Sequence, residues 1–442
     1  MTSKAEQSAP SQFARRRAQL MESLSEGATI LTAGHDTPRN NDVDHEFRQL
    51  SDFWYMTGFD EPNAVAVLRP GSDQPYVLFV NPYDARFETW VGPRAGVDGA
   101  VESHGADAAF PVEELDEKLT ELLTEVETVH YSLGADDRLD RLVSLLVGQR
   151  RSRAQRGGRP LLSVVDPKPA VDHMRLIKSK GEIAALERAI EITGQGFDAA
   201  MGSTGPGVHE YQVQAELEAS FRRLGSPRNG YPSIVASGGN ACILHYIKNR
   251  ALLKDGDLLL IDAGAEVDYY TADITRTWPV NGRFSPEQRA VYQVVLDAQR
   301  QAFHAIAPGA GFDQPHLAAL RTLVQGLIDL GALEGDVDGL IEQQAYRPYY
   351  MHGTSHWLGL DVHDAGPYKE GEQATELREG MVFTVEPGLY FGPQATESPQ
   401  ALRGIGIRIE DDVLVTKDGY RVLSEAIPSQ MEEIEALVGR AG

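Results

Sequence analysis

The sequence of 442 residues predicts two domains, an α/β unit over residues 1–175 and a larger α+β unit over residues 176–442 that contains a duplication. A chain of this length exceeds a typical single domain. The segment DPKP at 166–169 disfavours regular helix and marks the division. Two apolar runs each begin with a glycine, and the acids Asp262 and Glu386 lie six residues after those glycines. This repeat predicts two halves related by a pseudo-twofold axis.

The N-terminal unit begins with helical periodicity and continues with short apolar runs. We expect a helix near residues 13–25 and strands around 28–32, 64–68 and 76–80. The basic, glycine-containing run RSRAQRGGRP at 151–160 is typical of an exposed loop.

Two helix starts stand out in the second unit. Ser179 with Glu182 three residues later forms a capping-box pattern before an apolar periodicity. Ser285 followed by Pro286 repeats the start signal, with proline at the first helical position. Helices therefore alternate with the apolar strands of this unit.

The repeated runs GDLLLIDAG and GMVFTVEPG predict buried strands, because they are short, almost wholly apolar and bounded by glycine. A carboxylate at the end of such a strand is costly to desolvate. Further along the chain, Asp273 follows Asp262 and Glu410 follows Glu386. We therefore expect a hairpin in each half, with an acid on each strand. Facing carboxylates require a cation between them.

Histidines accompany these acids. Three lie in the segment MHGTSHWLGLDVHD and one in CILHYIKN: His352, His356, His363 and His245. Taken singly, an acid or histidine of this kind is more often a cap, a turn residue or a satisfied core residue. The joint pattern favours a metal site. We interpret Asp364 as a turn residue, and Asp411 and Asp412 as solvated neighbours of a strand.

Charge arithmetic favours two divalent cations, since the four acids would supply four negative charges. A neutral imidazole of His356 would add a nitrogen ligand. This oxygen-rich set without thiolate favours Mn²⁺, with Zn²⁺ and Co²⁺ as alternatives because affinity alone does not choose between them. The sequence has no HExxH, Walker or GxSxG motif, which argues against zincin, P-loop and serine-hydrolase chemistry.

The composition indicates which classes of partner and which cellular compartment to expect. The net charge of −24 argues against nucleic-acid binding, which needs basic surface. The single Cys242 fits a reducing compartment. No apolar run approaches the roughly 20 residues that span a bilayer, and the residues after 15–17 are too polar for a secretory signal. We expect a cytoplasmic protein that does not bind membranes.

Several segments of the sequence resemble those of the pita-bread metallopeptidases, and among them the aminopeptidase P family. The resemblance extends over residues 11–438 and is strongest in CILHY, LIDAGAE, TADITRTWPVNG, MHGTSHWLGLDVHD, TVEPGLY, RGIGIRIEDD, RQLSDFWYMTGFDEP and WVGPRAG. It implies a pita-bread catalytic domain over 176–442 after an aminopeptidase P N-terminal domain. It also implies metal-dependent hydrolysis of the first peptide bond in peptides whose second residue is proline, by a hydroxide that bridges two metal ions.

The resemblance also implies residue roles. Five residues would bind the two ions, with the second and fifth of them bridging: Asp262, Asp273, His356, Glu386 and Glu410. Catalytic roles would fall to His245, His352, His363, Glu386 and Arg408. Substrate contacts would come from His245, His352, His363, Tyr390, Asp42 and Trp90. Because the last two would reach a neighbouring subunit's site, we expect a homo-oligomer, a dimer or a tetramer.

Two alternatives stay open. A prolidase would share the metal ligands but cleave Xaa-Pro dipeptides; the segments WVGPRAG and SDFWYMTGFDEP favour the aminopeptidase. A non-catalytic pita-bread protein that binds peptides or histones is an alternative of another class. The presence of all five ligands disfavours it.

Overall fold

The structure, a computed structural model, describes most of the chain: residues 11–157, 159–160 and 163–440. Residue contacts divide the chain into two units, Met1–Asp172 and His173–Gly442, and each has its own apolar core. Within the described residues, no helix is both long and apolar enough to cross a membrane.

The N-terminal unit is built on a six-stranded mixed sheet. The strands of the unit are β1 (Ala28–Thr32), β2 (Pro38–Asn40), β3 (Val43–Asp44), β4 (Val65–Leu68), β5 (Tyr76–Val80), β6 (Ala108–Pro111), β7 (Thr128–His130) and β8 (Ser163–Val165). The strand order in the sheet is β6-β5-β4-β1-β7-β8, and β2 pairs separately with β3. Its helices are α1 (Gln12–Ser23), α2 (Ser51–Thr57), α3 (Ala85–Val91), α4 (Gly96–Glu102), α5 (Leu115–Leu122) and α6 (Asp137–Ala154). The predicted first helix and the three predicted strands are therefore confirmed, as α1, β1, β4 and β5.

Two local predictions are wrong in part. The segment 151–160 is helical at its start, because α6 continues to Ala154, while 155–157 form an exposed turn and 158 lies outside the described residues. The apolar face of α6 ends in Arg150, which is buried and donates to the carbonyl oxygen of Leu123 at 2.7 Å. The DPKP segment does not exclude helix either, since α7 (Lys168–Leu176) begins within it. Pro169 occupies the first turn, where a helix has no use for the missing N–H.

The second unit contains two long helix pairs and several short antiparallel sheets. Its helices are α8 (Lys180–Ser203), α9 (Glu210–Arg223), α10 (Pro286–His304), α11 (Gln314–Asp329), α12 (Val337–Glu342) and α13 (Met431–Leu437). Its strands are β9 (Arg228–Asn229), β10 (Ile234–Ser237), β11 (Leu258–Ala263), β12 (Ala265–Val267), β13 (Tyr270–Thr271), β14 (Ile274–Pro279), β15 (Lys369–Glu370), β16 (Gln373–Ala374), β17 (Val382–Val385), β18 (Gly388–Tyr390), β19 (Gly406–Arg408), β20 (Asp411–Thr416) and β21 (Gly419–Val422).

The duplicated architecture is confirmed. The pair α8–α9 precedes the three-stranded sheet β10-β11-β14, and the pair α10–α11 precedes the sheet β17-β20-β21. Capping boxes at Ser179 and Ser285 start the first helix of each pair, as predicted. An isolated antiparallel bridge between Thr275 and Glu410 joins the two sheets. The two halves therefore meet at the strands that carry the predicted acids.

Candidate active site and metal centre

The four acids lie at corresponding places in the two halves. Asp262 lies on β11, and Asp273 directly precedes β14, which pairs antiparallel with β11. Glu386 directly follows β17, and Glu410 directly precedes β20, which pairs antiparallel with β17. The bridge between the halves brings the two pairs together. The hairpin prediction is thus confirmed in outline.

His356 supplies nitrogen to this acidic cluster. Its Nε2 lies 3.2 Å from Oδ2 of Asp273 and 3.5 Å from Oε1 of Glu386. Its Nδ1 lies 3.1 Å from the carbonyl oxygen of Trp357, which can only accept, so Nδ1 donates and Nε2 of the neutral ring keeps its lone pair. Ligand atoms of Asp273, His356 and Glu410 all lie within 4.8 Å of one another, close enough to share a metal ion.

The acids outnumber the positive charges beside them. Burial and neighbouring acids raise the pKa of Glu386 to about 7, although His356 and Arg408 lower it, and they raise the pKa of Glu410 more strongly. Burial likewise raises the pKa of Asp262, against the lowering effect of a nearby guanidinium. The pKa of His356 rises to about 9: burial opposes its charge, but the hydrogen bond to Asp273 and the charges of Asp273 and Glu386 together outweigh burial. Crowded carboxylates and an imidazole that bind protons this strongly are also suited to bind divalent cations instead of protons.

That guanidinium belongs to Arg408, which is buried behind the acids. It donates to Oδ2 of Asp262 at 2.5 Å and to Oγ1 of Thr275 at 3.1 Å. It also donates to the hydroxyl of Tyr390 at 3.1 Å. Burial opposes its charge, but Tyr390 and the surrounding acids raise the pKa of Arg408 well above its usual range. Arg408 therefore stays cationic at every working pH.

Tyr390 links Arg408 to His352. The tyrosine is buried, and its hydroxyl lies 2.8 Å from Nε2 of His352. Nδ1 of that histidine lies 2.7 Å from the carbonyl oxygen of Gly353, so Nδ1 donates and Nε2 accepts from Tyr390. Burial, followed by the charge of Arg408, lowers the pKa of His352 to about 3. His352 is therefore neutral near pH 7.

A cavity of about 600 Å³ opens beside the acids, Arg408 and the histidines. His245 and His363 are exposed at its wall. The ring of His363 lies 4.4 Å from that of His356, centroid to centroid, and burial and that neighbour lower the pKa of His363. The apolar part of the wall comes from Pro232, Ile234, Leu244, Ile247 and Val362. The structure thus gathers polar groups at one end of a cavity with apolar sides.

Tyr231 also belongs to this site and was missed by sequence reasoning. Its hydroxyl lies 2.6 Å from Oδ1 of Asp262 and 2.5 Å from Oδ1 of Asp273. Burial and these acids raise the pKa of Tyr231 well above its usual range, so the hydroxyl keeps its proton and donates a shared hydrogen bond to the two carboxylates. A tyrosine in the segment RNGYPS carries no spacing signal, and only the folded chain brings it to the acids.

Three acids interpreted as peripheral are buried instead. Asp411 pairs with Arg276 at 2.6 Å, and Oδ2 of Asp412 accepts from the backbone N–H of Asp273 at 3.1 Å. Asp364 is not a simple turn residue, because it forms a buried ion pair with Lys178 at 3.0 Å and another with a neighbouring arginine. Those interpretations are wrong, since the surrounding chain covers all three of these residues.

Asp42 and Trp90 lie in the N-terminal unit. Asp42 is exposed between β2 and β3. Trp90 is on α3 and is 86% exposed. Their contact with a neighbouring subunit's site stays a prediction, as does a direct contact of Tyr390 with substrate.

Comparisons with known proteins agree with this geometry. The family model "Metallopeptidase family M24" matches residues 184–417, and "Aminopeptidase P, N-terminal domain" matches residues 13–130. The Xaa-Pro aminopeptidase of Escherichia coli is 43% identical over 430 residues, which are 97% of each chain.

Solved structures agree in fold over nearly the whole chain. Pseudomonas aeruginosa aminopeptidase PepP superposes with a TM-score of 0.95 at 47% identity and covers 98% of this chain and 99% of its own. A variant of Escherichia coli aminopeptidase P in complex with substrate gives a TM-score of 0.93 at 42% identity, covering 97% of this chain and 98% of its own. The chain therefore belongs to metallopeptidase family M24 and, within it, to the Xaa-Pro aminopeptidases.

Proposed function

We propose that the cavity beside Asp273, His356 and Glu410 is the active site at which this chain removes the first residue of a peptide whose second residue is proline. The observation that carries this proposal is the convergence of those three side chains within 4.8 Å at the wall of a peptide-sized cavity. The chain's place among the Xaa-Pro aminopeptidases supports the substrate class.

Five residues would hold two divalent ions: Asp262, Asp273, His356, Glu386 and Glu410. We propose Mn²⁺ as the native ion, with Asp273 and Glu410 shared between the two positions, because the donors are four carboxylates and one imidazole without thiolate. When bound, such ions lower the pKa of a water molecule toward neutrality and polarise a carbonyl group. The raised pKa values of Glu386 and Glu410 support the fit, since a bound cation would offset both the burial and the repulsion that cause them.

Glu386 is the proposed proton carrier. Its carboxylate lies at the cavity wall. A carboxylate at this place can accept a proton from the attacking water and return it to the leaving nitrogen. Proline needs this delivery, because its nitrogen has no hydrogen before cleavage and must gain one to leave as an amine.

His245 and His363 are the proposed oxyanion donors. Both are exposed at the cavity wall, where an N–H can point at the oxygen of the scissile carbonyl. A hydrogen-bonded chain links Arg408 through Tyr390 to His352. We assign this chain to positioning, since it fixes the neutral tautomer of His352 beside Glu386.

The substrate's free amino group is proposed to meet Asp262 and an ion, which restricts cleavage to chain ends. The apolar wall suits the proline ring. We further propose a cytoplasmic homo-oligomer in which Asp42 and Trp90 serve a neighbouring subunit's site.

The test is an assay of the Mn²⁺-loaded protein with an Xaa-Pro-Yaa tripeptide beside an Xaa-Pro dipeptide. Release of the first residue from the tripeptide is expected; cleavage of the dipeptide alone would favour a prolidase. Glu386→Ala is expected to abolish turnover. Full turnover by this variant with its metal intact would remove the proton-carrier role.

A further inference from the structure

We propose that Glu210 is a positioning residue, whose buried carboxylate holds the loop 237–251 so that His245 faces the cavity. Glu210 is the first residue of α9, and His245 lies near the middle of the loop. The inference deepens the proposed function and rests on it, because it requires His245 to act on the substrate.

The carboxylate of Glu210 is 0% exposed and accepts five hydrogen bonds from the loop. Oε1 accepts from the backbone N–H and the hydroxyl of Ser237, both at 2.8 Å, and from the side chain of Asn240 at 3.0 Å. Oε2 accepts from the hydroxyl of Tyr246 at 2.9 Å and from the backbone N–H of Ala251 at 2.8 Å. One side chain thus ties together the start, the middle and the end of the loop.

A buried carboxylate is costly unless hydrogen bonds satisfy it. Here the satisfying donors come from the loop rather than from the helix on which Glu210 lies. The carboxylate and the loop conformation therefore depend on each other: displacing the loop would leave the charge unsatisfied. This mutual dependence is what makes Glu210 a rigid support.

Asn249 reinforces the hold near the end of the loop. It is buried, its Oδ1 accepts from the N–H of Val235 at 3.0 Å, and its Nδ2 donates to the carbonyl oxygen of Ser233 at 2.8 Å. Nδ2 also lies 2.9 Å from Oε1 of Gln214 on α9. Its φ of 47° is in the left-handed region, which asparagine tolerates better than most residues.

The side chains of the loop alternate between support and cavity. Tyr246 packs against the small apolar cluster around Ile234, while its hydroxyl bonds to Glu210. On either side of it, His245 and Ile247 are exposed and line the cavity. Because His245 is the residue directly before the anchored tyrosine, the bond between Tyr246 and Glu210 limits where the imidazole can lie. Misplacing a catalytic group by a fraction of its contact distance lowers the rate steeply.

Tyr246→Phe in the Mn²⁺-loaded enzyme tests the proposal, because it removes one hydroxyl and leaves the ring. We expect kcat to fall about fivefold, the effect of one net hydrogen bond, with metal content unchanged. Glu210→Gln should lower kcat further, since the amide N–H₂ would face donor groups that now donate to a carboxylate oxygen. Tyr211→Phe is the matched control and should leave kcat unchanged: Tyr211 is on the same helix and 50% exposed.

A double-mutant cycle with His245→Ala separates positioning from general damage. If Glu210 and Tyr246 act through His245, Tyr246→Phe has no further effect on kcat in the His245→Ala background. An equal fall in both backgrounds, or no fall in the wild-type background, would overturn the inference. Full activity of His245→Ala alone would remove the proposed role of the histidine and this inference with it, while leaving the metal site of the proposed function intact.

Discussion

Replacing Glu386 by glutamine is expected to stabilise the ion-free protein at alkaline pH. Burial raises the pKa of this carboxyl from 4.5 to about 7, a value that already includes its attraction to His356. The unfolded chain loses the proton near pH 4.5, and the folded chain keeps it until about pH 7. Folded protein therefore binds the extra proton across this window, and its stability falls as the pH rises through it.

The size of the effect follows from that shift. One pKa unit corresponds to about 1.4 kcal/mol, so the ionised carboxylate costs the ion-free protein about 3 kcal/mol above pH 7. Glutamine has nearly the same shape and carries no charge at any pH. The variant should therefore exceed the wild type in free energy of unfolding by about 3 kcal/mol at pH 8, and by less than about 1 kcal/mol at pH 5.

Urea unfolding in excess chelator, at pH 5 and at pH 8, measures this difference. Saturating Mn²⁺ should reverse the order, because the wild type then gains the free energy of ion binding. Glu379→Gln is the control, since Glu379 is exposed shortly before the same strand. An advantage of the variant that is equal at both pH values, or its absence at pH 8, would refute the raised pKa of Glu386.

Three further predictions concern buried polar side chains. Arg408→Gln should destabilise the ion-free protein by about 3–5 kcal/mol in urea unfolding, because it leaves a buried carboxylate unpaired; a loss under 1 kcal/mol would contradict this. Tyr231→Phe should lower the free energy of unfolding of the ion-free protein by about 2 kcal/mol. The loss should be smaller in the Mn²⁺-loaded protein, where bound ions would interact with the acids in place of the lost hydrogen bonds; equal losses would argue against this prediction. Asp364→Asn should lower the free energy of unfolding by about 3–5 kcal/mol. The control Asp361→Asn removes a half-exposed carboxylate that pairs with Arg175, as Asp364 does, and should lower it by under about 1 kcal/mol.

The clustering of the four acids proposed as metal ligands is partly predictable from the sequence, because Asp262 and Glu386 follow a local rule. A short apolar run opened by glycine becomes a buried strand, and an acid at its end becomes a largely buried carboxylate. The pairing of β11 with β14 and of β17 with β20 then brings the acids together. Helix starts are equally local: the boxes at Ser179 and Ser285 depend on side chains three residues apart.

The missed contacts depend on residues far apart in the chain. Asp411 looks like a strand-edge residue, but Gln299 of α10 donates to its Oδ2 at 2.9 Å and Arg276 of β14 pairs with its Oδ1. Tyr231 meets acids from two strands that come later in the sequence. Whether a face is solvated or covered is decided by such long-range packing, which no local pattern records.

The bridge between Thr275 and Glu410 joins the two halves of the second unit, which come from different segments of the chain. Beside it, ligand atoms of Asp273 from the first half and Glu410 from the second lie within 4.8 Å of one another. An ion held by both would act as a reversible cross-link that closes the long segment of chain from 273 to 410. Such a link would stabilise the folded chain by the free energy of ion binding, because the unfolded chain does not hold the two carboxylates together. Loss of the ion should therefore loosen the seam between the halves as well as stop turnover, so that chelation would first increase hydrogen exchange along β14 and β20.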